Sequence, residues 1–244
     1  MGEQMAHFKV IKGHGPPLRK HLFEDRTVKA PVTCPFLEVD DRKLVQRTIV
    51  ALRRGPIRYH RDQIIVCEGD PADYMFLVLE GIVRSCRTFQ NGARSIAGFY
   101  LPGELFGWTD LNHLLSAEAA TNALVLYLKR SALLAVAARD SRIASFLLAA
   151  TTNELRRTQE HALLMSRSAR CRVATFLLDL SRRLGTAKYL DLPMSHQDIA
   201  DHLGLTIETV SRTITGLERS ELIARISPRT LILLNRPSLL RMNN

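Results

Sequence analysis

Residues 195–222, SHQDIADHLGLTIETVSRTITGLERSEL, admit few arrangements, because one helical period stops at a glycine and another begins almost at once. Ser195 stands where a helix N-cap belongs. Its hydroxyl can accept a free backbone N–H, and Asp198, three residues on, completes a capping box for a first helix over 196–202. Leu203-Gly204-Leu205 is then the turn, with Gly204 free to take the positive φ that ends a helix abruptly. Thr206 caps a second helix in which Ile207, Val210, Ile214 and Leu217 share one face and Glu208, Ser211, Arg212 and Thr215 another. One face is suited to packing, and the other is left for a partner.

The chemistry of that polar face is specific. Arg212 offers a planar fork matching guanine O6 and N7, Glu208 can accept from the exocyclic amine of cytosine or adenine, and Ser211 can donate or accept. Glu208 and Arg212, four apart, also fit a plain surface ion pair worth about 0.2–0.5 kcal/mol. Two capped helices around a glycine turn favour base reading over that pair, with Thr206, Thr209 and Ser195 at the edge of the same surface. A formal net charge of +10 points to a polyanion, nucleic acid first and an acidic membrane surface second. The excess sits at both ends: residues 1–61 hold 13 Lys/Arg against 6 Asp/Glu, and residues 168–244 hold 11 against 7.

The remainder changes texture twice. Residues 1–40 mix Gly, Pro and charge with little apolar period and are read as a mobile arm. His7, His14 and His21 recur there, but the breaks between them exclude a common helix that could hold a metal. A short amphipathic helix over 40–51 is closed by Gly55-Pro56. Five β-rich runs follow, 63–67, 75–79, 82–87, 95–100 and 124–128, separated by turn signals that include Asn91-Gly92, the pattern of a small antiparallel roll. Helical period then takes over, with a short helix over 130–138 and a long one over 141–165. On the long helix Ala144, Leu148, Thr151, Leu155, Thr158, Ala162 and Met165 alternate by four and three. That seam fits a dimer interface and equally a helix lying on its own domain. Ser166-Arg167-Ser168 is the hinge to a further helix with Ala174, Leu177, Leu178 and Ser181 in phase, ending at Gly185. A strand over 189–192 precedes the two capped helices. After them, two strands over 223–226 and 231–234 flank Ser227-Pro228-Arg229-Thr230, a hairpin wing with Arg229 at its tip to meet a phosphate.

D-I-A-D-H-L-G-L-T followed by I-E-T-V-S-R at 207–212 resembles the recognition unit of the Crp/Fnr superfamily of bacterial transcription regulators, nearest its Fnr/FixK branch, whose E-x-x-S-R pattern is carried by Glu208, Ser211 and Arg212. Residues 68–84, EGDPADYMFLVLEGIVR, and 101–107, LPGELFG, resemble the cyclic-nucleotide-binding jelly roll of the same superfamily. The resemblance implies an α+β chain: a jelly roll over 41–140, a dimerisation helix over 141–166 and a winged helix-turn-helix over 167–244. It also implies a cytoplasmic homodimer on a palindrome of the TTGA-N6-TCAA kind, with RNA polymerase as a further partner. No membrane association is expected, since no apolar run approaches the roughly 18 residues of a span.

Sensor chemistry is less well supplied, and no cofactor or metal is expected. Cyclic-nucleotide binders of this superfamily carry a Glu after the Gly of the P-G-E segment and a later Arg-Ser pair for the phosphate. Here Gly107 is followed by Trp108, and the later position reads Ser116-Ala117-Glu118, an acid with no adjacent Arg. An Fnr-type cluster needs several closely spaced thiolates, and only Cys34 lies near the N-terminus. Cys67 and Cys86 fall on strands, and Cys171, between Arg170 and Arg172, is the one candidate redox thiol if exposed. Regulation by abundance, by haem or by a small molecule stays open. A cupin-type metalloenzyme would need clustered histidines, and the roll offers only His60 and His113, with no catalytic set elsewhere.

Overall fold

A computed structural model describes residues 39–186 and 188–242. Nearly all of the expected arm, with His7, His14, His21 and Cys34, lies outside the described residues. Helix α1 (Val39–Leu52) runs straight into β1 (Arg53–Tyr59), so Gly55-Pro56 lies within a strand and does not close the helix as expected. The register of β1 slips between Arg54 and Ile57, and Gly55 has φ +92. A bulge accommodates both the left-handed glycine and the proline without an N–H.

Strands β2 (Ile64–Val66), β3 (Tyr74–Glu80), β4 (Val83–Thr88) and β5 (Arg94–Tyr100) fall on predicted runs. The short β6 (Leu105–Phe106) and β7 (Ser116–Ala119), like β1, have too little period to read from sequence, whereas β8 (Ala123–Lys129) is the fifth predicted run. Together they form a roll of two four-stranded sheets, β1-β8-β3-β6 and β2-β7-β4-β5. Asn91-Gly92 does turn β4 into β5: the Gly92 N–H donates to the Phe89 carbonyl, the Phe89 N–H donates to that of Ala93, and Gly92 takes φ +79. Aromatic rings occupy the space between the sheets. Phe76 stacks on Phe106 at 4.9 Å and Tyr100 on Phe106 at 5.2 Å, among Val78, Val83, Ala117 and Ala119.

After α2 (Arg130–Ala137), the long α3 (Ser141–Leu164) lays Ile143, Phe146 and Leu147 on the roll against Val45, Ile49, Met75 and Leu77. Asp140 caps α3 and Ser168 caps α4 (Ala169–Arg183), and the expected hinge residues Ser166-Arg167-Ser168 form the short connection between the two helices. Then follow β9 (Tyr189–Asp191), α5 (His196–Leu203), α6 (Ile207–Arg219), β10 (Ile223–Arg225), β11 (Thr230–Leu233) and α7 (Arg236–Arg241). The last, capped by Asn235, is absent from the sequence reading. Strand order β10-β11-β9 makes the wing a three-stranded sheet.

The roll and the C-terminal unit do not keep separate cores. Ile82, Cys86, Ile96, Phe99 and Leu101 from the outer face of the second sheet join Phe176, Leu177, Ile199 and Leu203 in one apolar cluster. Burying each such side chain contributes about 1.5–3 kcal/mol, so this contact is substantial. Among the described residues, no helix is long and apolar enough to cross a membrane.

Candidate nucleic-acid interface

The two capped helices form as their sequence dictates. The Ser195 hydroxyl accepts the Asp198 N–H at 3.0 Å, while the Asp198 carboxylate accepts the Ser195 N–H at 3.2 Å. Gly204 ends α5 at φ 60 and ψ 42, the left-handed region, and the Thr206 hydroxyl then accepts the Thr209 N–H at 3.2 Å to open α6. Val210, Ile214 and Leu217 are buried as expected. Ile207 is 39% exposed, because the first residue of α6 precedes the turn at which the helix enters the core.

Glu208, Ser211 and Arg212 are exposed on one face of α6. Among the ion pairs of the described residues none joins Glu208 to Arg212, so the surface pair that their spacing allows is not made. The Glu208 carboxyl is held below its ordinary value by its own backbone N–H and then by the Thr206 hydroxyl. It is therefore an ionised acceptor at neutral pH, while Arg212 presents its donors to solvent. The hydroxyls of Ser195 and Thr206 are committed to helix caps, and that of Thr209 lies 3.1 Å from that of Thr206.

At the wing tip, Ser227 accepts the N–H groups of Arg229 at 3.2 Å and Thr230 at 3.0 Å through its hydroxyl, closing the turn around Pro228. The Thr230 hydroxyl donates to Asp191 at 2.8 Å and ties the tip to β9. This leaves Arg229 exposed. His196, a residue that sequence reasoning passes over, sits close enough to Arg225 and Arg229 that, after burial, their charges lower its pKa. A lone histidine in a helix gave no sign of that cluster.

The connection between α3 and α4 is stapled by Arg172. Its guanidinium donates to the carbonyls of Met165 at 2.6 Å, Arg167 at 2.9 Å and Leu203 at 2.9 Å, joining the C-terminal ends of α3 and α5, where helix dipoles favour a cation. Cys171 beside it is only 5% exposed, with its sulfur 4.0 Å from the Thr175 hydroxyl, so the exposure required of a redox thiol is not found. Burial also raises the Cys67 thiol and pushes that of Cys86 up to about 11.

On α3, Leu148 is 68% and Leu155 56% exposed, and Ala144, Thr151, Thr158 and Ala162 are exposed with them, whereas Met165 is half-buried. A different stripe of the helix lies on the roll. The hydroxyls of Thr151 and Thr158 donate to the carbonyls of Leu147 and Glu154, which consumes their polar groups within the helix.

Glu118 corrects the expectation of an acid without an arginine. It pairs with Arg84, directly opposite in the β4–β7 register, at 2.6 Å, and faces out of the roll toward α5.

Comparison with known proteins agrees with this geometry. Residues 171–242 match a family model described as a Crp-like helix-turn-helix domain, and residues 56–140 one described as a cyclic nucleotide-binding domain. The chain is 42% identical over 203 residues to the nitrogen fixation regulation protein FixK of Azorhizobium caulinodans, covering 80% of this chain and 82% of the relative. It is 27% identical over 199 residues to an anaerobic regulatory protein of Pasteurella multocida, covering 78% and 72%. Among solved structures, FixK2 from Bradyrhizobium japonicum is similar at TM-score 0.74 and 41% identity, over 78% of this chain and 97% of that one.

Proposed function

Since the chain belongs to the Crp/Fnr family of transcription regulators, we propose that it acts as a homodimer on a TTGA-N6-TCAA-like palindrome, in oxygen- or redox-related gene control. It is a DNA-binding regulator and not an enzyme. The carrying observation is the face of Glu208, Ser211 and Arg212 on α6, exposed and free of internal ion pairs. Arg212 reads the guanine of each half-site, Glu208 the amine of a neighbouring base and Ser211 an adjacent edge, while Arg229 meets the backbone. The exposed apolar stripe through Leu148 and Leu155 supports pairing of two α3 helices. Half-sites ten base pairs apart then meet two α6 helices about 34 Å apart. The names of the FixK and anaerobic relatives support the physiological setting. The regulator works in the cytoplasm, with RNA polymerase as its partner.

Selection of bound duplexes from random DNA tests this. The wild type enriches a two-fold palindrome. Arg212→Ala costs about 1–3 kcal/mol and relaxes one position per half-site, whereas Arg229→Ala weakens all sequences alike and flattens the salt dependence. Unaltered discrimination by Arg212→Ala refutes the reading.

A second reading, gating by a small molecule, is favoured by a cleft of about 540 Å³ between the roll, α3 and α4, lined by Phe99, His161, Phe176 and Arg236. This volume suits a small ligand, in the range of about 300–1,000 Å³. Full affinity of dialysed protein for its selected site would dispose of gating.

A further inference from the structure

We infer that Arg84, on the roll and remote from the base-reading face, is a positioning residue for DNA recognition, acting with Arg94 through Asp198 of α5 to set the angle of the reading unit. Arg84 is 3% and Asp198 1% exposed. The Arg84 guanidinium donates to Asp198 at 3.0 Å, to Asp62 at 2.9 Å and to Glu118 at 2.6 Å. Arg94 adds bonds to the same Asp198 oxygen at 2.6 Å and to Asp201 at 2.7 Å.

Asp198 thereby has two duties. Its Oδ2 accepts from the Ser195 N–H and hydroxyl and so caps α5. Its Oδ1 is held by two arginines of the roll. The first turn of the helix-turn-helix is thus tied, by one carboxylate, both to its own cap and to another domain.

A second tie lies elsewhere. Arg183, at the end of α4, donates to Glu104 of the roll at 2.6 Å, and Arg157 of α3 donates to the same carboxylate at 3.0 Å. One anchor leaves a pivot; two fix an orientation. Removing the anchor at Asp198 leaves the reading unit tied at Glu104, through Arg94 to Asp201 and by the single His202–Ile96 hydrogen bond, and so freer to turn on the shared apolar surface. Apolar contact is non-directional and tolerates small rotations, whereas a forked guanidinium between oriented carboxylates does not.

The consequence is specific to a two-fold reader, so this inference rests on the palindrome proposed above. Base preference resides in α6 and is untouched by Arg84. The distance and angle between the two α6 helices depend on how each reading unit is held on its roll. One added base pair moves a half-site by about 3.4 Å and turns it by about 35°. Loosening the anchor relaxes the preference for spacer length and leaves half-site sequence preference intact.

The experiment uses the full-length chain and duplexes with constant half-sites and spacers of varied length, in competition binding. The wild type favours one spacer over its neighbours by about tenfold, the scale of a mismatched base pair. Arg84→Met, Arg94→Met and Asp198→Asn each reduce that ratio at least threefold, and Arg84→Lys recovers part of it. Val78→Ala, a truncation between the two sheets of the roll and outside the cluster shared with the reading unit, lowers thermal stability and leaves the ratio unchanged. Should Arg84→Met fold poorly, Arg94→Met and Arg84→Lys carry the comparison. An unchanged spacer ratio in the variants that bind, or a change in base preference in its place, overturns the assignment. A wild type that enriches no palindrome defeats the parent reading; a wild type with a sharp spacer optimum that all variants share defeats only this one.

Discussion

His202 on α5 offers a measurable coupling between pH and the union of the two domains. A carbonyl can only accept, so Nδ1 carries the proton in its 3.0 Å bond to the Ile96 carbonyl of the roll. The ring stacks on His161 at 4.3 Å and meets the edges of Phe99 at 5.2 Å and Phe176 at 5.8 Å. Burial first, and then the neighbouring His161, push its pKa from 6.5 down to about 4. The native state therefore holds His202 neutral where the unfolded chain binds a proton. Its contribution to stability is complete above pH 6.5, declines as the pH falls, and is fully lost below about 4. The whole effect amounts to about 3 kcal/mol, an upper figure because the residue is not fully buried, and about 2 kcal/mol of it is gone by pH 5. Urea unfolding at pH 7.5 and pH 5, at constant protomer concentration, compares the wild type with His202→Phe. That variant keeps an aromatic ring among Phe99 and Phe176 but loses the proton and one hydrogen bond. The bond is lost at both pH values, so only the difference between them is informative. The wild type should lose about 2 kcal/mol more than the variant on acidification. Equal losses would mean that His202 titrates normally and is not part of the domain contact.

Two further outcomes follow from the hinge and the long helix. Leu148→Lys or Leu155→Lys places a charge on the exposed stripe of α3 and should give a folded monomer by light scattering, because neither side chain packs on its own roll; dimers from both variants would move the interface elsewhere. Arg172→Met removes charged hydrogen bonds worth about 1.5–3 kcal/mol each in general and leaves helix-end carbonyls unsatisfied. It should speed tryptic cleavage at Arg167 and weaken DNA binding with base preference retained, and unchanged cleavage would show that the hinge is held by packing alone.

What could be read from the chain was what is local. The capping box at Ser195 and Asp198, the left-handed Gly204 and the Thr206 cap are decided within a few residues, and all form. Strands with clear alternation were legible, whereas β1 was hidden by Gly55-Pro56, which reads as a break until a partner strand makes it a bulge. Arg84 and Glu118 are far apart in sequence and opposite in register, so inspection of the neighbours of Glu118 alone found no arginine. Ile82 and Cys86 are in phase with Arg84, a sign that the outer face of β4 is covered, but nothing local says by what. Cys171 was judged from its basic neighbours, and tertiary packing turned those guanidiniums elsewhere and buried the thiol.

The roll keeps the shape of a ligand-binding domain while its interior is occupied by Phe76, Tyr100 and Phe106. Its outer surface carries the more consequential chemistry. A buried ion pair adds little net stability over well-packed apolar groups, because desolvation offsets much of the attraction, but breaking one partner leaves a costly unpaired charge. Arg84 and Asp198 would therefore be a poor choice if adhesion between domains were all that was needed, since Ile82, Ile96, Phe99, Phe176 and Leu203 already supply it. What the ionic contact adds is a single permitted geometry. A palindrome reader requires that geometry, because the two recognition helices must arrive in register with grooves whose separation DNA sets. On that proposal the roll serves as the frame that aims the reading unit, and it can do so with no ligand in its interior.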